Sequence, residues 1–265
     1  MALALPARSA QARDYRQLCR CCQPSMLYKV DQWLSRLLPR ECVLCGQRAG
    51  NCNLCAGCLG DLPWIGQGCE YCGAPLPSNV AGGSCARCDV TTRGIDRIVA
   101  GLAYEYPVDR LIAGAKFGGR LQLAAAVGEA LAWALGKRQL ARPDIVIPVP
   151  LHPARLGRRG FNQAVEIAIP VCRTLGLRLD RRSCRRRCNT APQTSLPAAS
   201  RRANLRGAFA VSGELAGLRI AIVDDVVTTG STVSALASCL REAGAESVVV
   251  WAGARVVQNQ PDWNV

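Results

Sequence analysis

Residues 220–233 read IAIVDDVVTTGSTV, and that order leaves few ways to fold. An apolar run of strand length ends in two adjacent carboxylates, Asp224 and Asp225. A tight series of small residues follows, Thr228, Thr229, Gly230, Ser231 and Thr232, and then a segment with helical spacing. Paired acids at the carboxyl end of a strand lie where open α/β sheets bind ligands. They can accept hydrogen bonds from two neighbouring ribose hydroxyls. Hydroxyls and backbone N–H groups at a helix N-terminus make an anion site suited to a phosphate monoester. Gly230 lets the backbone approach that anion closely. The segment reads as ribose and then 5-phosphate, in chain order. A Ser or Thr helix cap alone would need neither the acids nor the whole run of small residues.

Strand and helix alternate around this segment. Residues 97–104 predict a strand, 108–117 and 121–135 helices, and 144–150 a short buried strand running into a loop that extends to Arg159. A helix is expected over 161–175, kinked or restarted at Pro170. Residues 181–207 form an Arg-rich loop or hairpin. Residues 219–223 and 247–253 are strands, with a helix over 232–243 closed by Gly244 between them. This order predicts an α/β domain with a mostly parallel sheet and helices on both faces. At 265 residues the chain has room for one such domain and a small module. The expected division is an N-terminal extension over 1–40, a cysteine module over 41–90, the α/β domain over 95–257 and a tail over 258–265. In the extension, Leu27, Val30, Leu34 and Leu37 share one helical face, and Met26 is an attractive alternative start. There is no apolar run of membrane-spanning length, and the stretch at residues 3–5 is too short for a signal peptide core. A cytoplasmic protein without a membrane span is therefore expected.

Of 16 cysteines, 12 precede residue 90. Eight fall into CxxC pairs: Cys42 with Cys45, Cys55 with Cys58, Cys69 with Cys72, and Cys85 with Cys88. Two intervening residues let both thiolates of a pair face one tetrahedral ion from a tight turn, and in an intracellular chain such spacing favours metal over disulfides. Eight thiolates make two structural zinc sites. Sequential grouping is the simplest arrangement, with a cross-braced one open. Cys52 offers a competing CxxC with Cys55.

The formal charge is +14, and most of it is local. Residues 155–206 hold 13 arginines against Glu166 and Asp180. A polyanion would be met there, through Arg185, Arg186, Arg187, Arg201 and Arg202 among others. A solvated basic face is the plainer alternative. His152 is the sole histidine, and a lone loop histidine reads as a surface residue.

The DDVVTTGST run closely resembles the signature by which type I phosphoribosyltransferases bind 5-phosphoribosyl diphosphate (PRPP). Together with Lys116 in AKFGGR, the RGFNQA segment at 159–164, Gln193, Arg201, Arg202 and Asn204, it resembles the ComF family over residues 40–256. That family includes competence proteins and GntX-type relatives. The resemblance implies a type I phosphoribosyltransferase-like fold behind a double zinc ribbon. It implies that Asp224 and Asp225 meet the ribose hydroxyls of PRPP, that residues 228–232 wrap the 5-phosphate, and that Mg²⁺ accompanies the diphosphate. Lys116, Arg155 and Arg159 are expected on the diphosphate. Asn162 and Gln163 hold either the loop backbone or the ligand. Three roles stay open: a DNA-uptake protein that binds single-stranded DNA and competence or recombination proteins, an active transferase, and a PRPP-sensing regulator.

Overall fold

The computed structural model describes residues 40–66, 68–76, 83–85, 94–188 and 207–256. Its centre is a four-stranded sheet built from β3 (Arg97–Ala103), β4 (Ile145–Pro148), β7 (Arg219–Val227) and β8 (Ser247–Arg255). The order across the sheet is β3-β8-β7-β4, and every pairing is parallel. These strands are almost continuously apolar because both faces are covered. Alternation along β7 shows it: Ala221 and Val223 enter one core, Ile220 and Ile222 the other.

On the first face lie α2 (Val108–Gly118), α3 (Leu121–Gly136) and α5 (Gln163–Leu175). Helix α3 is apolar nearly all round because it is packed against the sheet, α2 and α5 together. A Cβ at Gly128 would lie 2.4 Å from the Ile167 carbonyl oxygen and 2.5 Å from the Pro170 ring, so only glycine permits this approach of α3 to α5. Helix α5 runs unbroken through Pro170, neither ending nor restarting there. The carbonyl that loses its partner belongs to Glu166, in the helix's first turn. On the opposite face lie α6 (Ser231–Glu242) and an antiparallel pair, β5 (Cys184–Arg186) with β6 (Phe209–Val211).

Two sequence-based boundaries are corrected. The segment after β4 is not all loop: His152 caps a short helix, α4 (Pro153–Arg159), by accepting the Ala154 N–H at its Nδ1 (3.2 Å), with Pro153 in the first turn. Strand β7 also continues past the aspartates to Val227, because β8 stays paired with it to Arg255.

The cysteine module consists of a ribbon, β1 (Arg40–Glu41) with β2 (Arg48–Gly50), a short helix α1 (Ala56–Gly60) and the segment that follows. It lies along the outer edge of β3. The Ile65 N–H donates to Gly101 (3.0 Å), Ala103 donates to Pro63 (2.8 Å), and Ile98 donates to Tyr71 (3.0 Å). Unpaired edge groups are thereby satisfied by chain from the module. Side chains reinforce the contact. Trp64 meets Trp133 of α3 with centroids 4.5 Å apart. The buried Asn53 donates to Glu129 of α3 from its backbone (2.8 Å) and its amide (2.7 Å). Among the described residues, no helix is long and apolar enough to cross a membrane.

Candidate functional site

Strand β4 ends at Pro148 opposite Val223, so β7 is uncovered on that side from Asp224 onward. The chain leaving β4 goes to α5 on one face; the chain leaving β7 goes to α6 on the other. The two connections part and leave a crevice at the carboxyl ends of the strands, the switch point at which such sheets bind ligands.

The alternation of β7 breaks at the aspartates, since Val226 packs with the core of Ala221 and Val223 and Val227 with that of Ile220 and Ile222, and the two carboxyls are near neighbours. Asp225 is buried and pairs with Lys116, from the last turn of α2, at 2.7 Å. Its Oδ1 accepts the Val226 N–H at 2.7 Å. Asp224 accepts the Asp225 N–H at 2.9 Å. Burial, then the neighbouring Asp225 carboxylate, pushes Asp224 up to about 8, against the pull of Lys116.

Gly230 takes the left-handed conformation (φ 77°) and opens α6. The hydroxyls of Thr229 and Ser231 are 2.9 Å apart, in line with the N-terminus of the helix. Thr228 and Thr232 complete a turn of hydroxyls and amides with no bulky side chain.

Across the crevice, the arginines after β4 sit on α4. Arg155 is held below its ordinary pKa by burial and then by Arg159 and Arg158, so the three positive charges are near one another. Arg159 donates to the Gln163 amide oxygen. Asn162 accepts the Ala164 N–H (3.0 Å), capping α5, and donates to the Val149 carbonyl (3.0 Å) at the end of β4. Asn162 and Gln163 thus hold this loop and its arginine.

The β5–β6 pair divides the arginine run. Cys184 is buried, and Arg186, on the same face, lies over the Phe209 ring at 5.5 Å. Burial and then Arg155 lower the Arg186 pKa, while Asp224 acts in the opposite direction. Arg186 therefore belongs electrostatically to the crevice. Arg185 and Arg187 point the other way and are exposed. Arg201, Arg202, Gln193 and Asn204 lie outside the described residues, as do the 1–39 extension with Met26 and the tail from 257.

Arg255 was not anticipated. It ends β8 and donates through Nε to the Cys72 carbonyl (3.0 Å) and through Nη1 to the carbonyls of Val227 (3.0 Å) and Thr228. The available signal was its place: a charge closing a buried strand at the end of the sheet where ligands bind.

In the module, the thiols of Cys42, Cys45, Cys55 and Cys58 lie within 4.8 Å of one another, and so do those of Cys69, Cys72 and Cys85. Cys88 lies outside the described residues, and Cys52 belongs to neither group. The grouping follows chain order. Tetrahedral zinc with bonds of about 2.3 Å sets its sulfurs about 3.8 Å apart. The Cys45–Cys55 and Cys72–Cys85 sulfurs stand 3.6 and 3.5 Å apart, and none of the described cysteines forms a disulfide. Burial disfavours the Cys42 thiolate, yet hydrogen bonds from the Cys55, Leu44 and Cys45 backbones bring it down to about 7. The donor set fits zinc.

Fold and sites together define a class: a phosphoribosyltransferase-like α/β domain that carries a zinc ribbon in front of it. A family model described as double zinc ribbon domain matches residues 33–89. The DNA utilization protein YhgH of Salmonella typhi is 36% identical over 206 residues, covering 76% of this chain and 88% of that protein. Competence protein F of Haemophilus influenzae is 34% identical over 213 residues, 77% of this chain and 90% of that one. Relatives this similar over most of their length place the chain in the ComF family. Among solved structures, the chain is similar to the Bacillus subtilis glutamine PRPP amidotransferase, at a TM-score of 0.35 and 23% identity over 49% of this chain and 26% of that one. It is also similar to a purine phosphoribosyltransferase of Pyrococcus horikoshii, at a TM-score of 0.31 and 18% identity over 52% and 89%.

Proposed function

We propose that this chain is a cytoplasmic protein of DNA uptake or utilisation whose crevice binds PRPP or a close relative, and whose outer arginines bind single-stranded DNA. The observation that carries the ligand reading is the Asp224–Asp225 pair on the uncovered flank of β7, followed at once by a hydroxyl-rich turn at the start of α6. Asp224 and Asp225 accept the ribose hydroxyls, residues 228–232 surround the 5-phosphate, and Arg155, Arg159 and Arg186 face the diphosphate. Oxygen donors of this kind suit Mg²⁺, which the diphosphate brings with it. Lys116 serves Asp225 first and sets the charge of the pair.

The DNA reading rests on the names of the relatives, a competence protein and a DNA utilization protein, and on the exposed Arg185 and Arg187. Competence or recombination proteins are the partner class this process implies. A second reading, transfer of the phosphoribosyl group to an acceptor, draws on Asp224: a carboxyl brought to about 8 can exchange a proton near neutrality.

Calorimetry with PRPP and Mg²⁺ tests the ligand. The Asp224→Asn, Asp225→Asn double variant should bind about tenfold more weakly or worse, as the loss of a charge-assisted hydrogen bond requires. Unchanged affinity in the folded variant would refute the reading. Diphosphate release with a panel of bases separates the transferase from the binding protein.

A further inference from the structure

We infer that Arg255 couples the second zinc knuckle to the phosphate-binding turn, so that metal at the Cys69–Cys72–Cys85 group sets the shape and the affinity of that turn. This rests on the phosphoribosyl reading for its ligand but on geometry for the coupling. One guanidinium spans two structures that are far apart in sequence. Its Nε is 3.0 Å from the carbonyl of Cys72, a thiolate donor of the knuckle. Its Nη1 reaches the carbonyls of Val227, the last residue of β7, and Thr228, the first of the turn.

The planar fork fixes these carbonyls relative to one another. Its acceptors are backbone atoms, so it acts on backbone position rather than on a ligand. The Cys72 carbonyl is held in turn by the knuckle. Gly73 follows in a left-handed conformation (φ 68°), and a Cβ there would lie 3.0 Å from the Ile98 carbonyl oxygen, so the knuckle is pressed against β3. Cys72 and Cys85 sulfurs 3.5 Å apart keep that chain closed around one point. Take away the metal, and the bonds that tie these sulfurs to one point are gone. The Cys72 carbonyl then loses its fixed place, and Arg255 loses one end of its span. Thr228 is the first of the residues proposed to surround the phosphate. Arg255 is therefore a positioning residue, acting through the turn.

The test uses the full chain, with Arg255→Met to remove the donors, Cys85→Ser to weaken the metal, and the two combined. PRPP with Mg²⁺ is titrated by calorimetry, and zinc content and thermal melts confirm that each protein is folded. Each single variant should bind about tenfold more weakly, the scale of a charged hydrogen bond. The double variant should be no weaker than the poorer single one, since residues in one network do not add. Additive losses, or a Cys85→Ser protein with wild-type affinity, overturn the inference. Should Cys85→Ser fail to fold, the wild-type protein treated with a zinc chelator takes its place, and Arg255→Lys asks whether charge without the fork restores affinity; full restoration also overturns it. Amide exchange of residues 228–232 needs no ligand. It should quicken in both single variants and no further in the double. If the wild-type protein binds no PRPP, the ligand reading falls alone, and exchange still decides the coupling; unchanged exchange in both variants ends it.

Discussion

Asp224 and Asp225 are neighbours with different electrostatics, because the ion pair with Lys116 is made by Asp225. Asp225 has Lys116 at 2.7 Å; Asp224 has burial and a like charge. A carboxyl whose folded value rises from 3.8 to about 8 binds its proton more tightly folded than unfolded. Stability should therefore fall as pH rises through that window. Asp224→Asn removes the penalty, so its melting temperature should gain on the wild type at pH 8.5 and match it more nearly at pH 5. Equal gains at both pH values would place the effect elsewhere. Lys116→Met should cost about 3 kcal/mol in denaturant melts, because it leaves a buried carboxylate uncompensated. Adding Asp225→Asn should recover much of that loss. The aspartates and the turn were legible in sequence because their chemistry is contiguous. The partners of Lys116 and Arg255 were not, since each meets its acceptors across long gaps in the chain. Asn162 and Gln163 stood in a recognisable motif, but only the position of β4 shows that they grip the loop.

At the level of elements, period and composition located every strand of the parallel sheet. They missed α4, seven residues with no buried side chain and hence no apolar period to read. They also stopped β7 early, because two charged residues look like a strand's end when only its own sequence is seen; the pairing with β8 carries it further. The arginine run, taken whole as one surface, is divided by a strand's alternation. Arg185→Ala with Arg187→Ala should lower single-stranded DNA affinity and flatten its salt dependence by roughly 0.7 per lost phosphate contact on log–log axes. Arg186→Ala should weaken PRPP binding too. Gel-shift titrations at several salt concentrations check the first, and a pair variant indistinguishable from wild type returns these residues to a plain solvated face. Gly128→Ala should destabilise by roughly 1–3 kcal/mol through the clash of α3 with α5, measurable as a lower denaturant midpoint.

For the whole molecule, elemental analysis should find about two zinc ions per chain, four thiolates to each. CxxC spacing announced the metal but not the docking, for nothing in the local pattern says that residues 63–65 and Tyr71 will complete an edge of someone else's sheet. That attachment has a consequence in time. A ribosome delivers the cysteine module first, β3 next, and β8 last of all the strands. When β3 emerges, the strand destined to lie beside it is still unmade, and the chain already present to pair with its backbone is the module. Nascent β3 thus meets the module's chain before its own sheet neighbour is made. The edge contacts of the module can therefore form first on the ribosome, and the parallel pairing with β8 last.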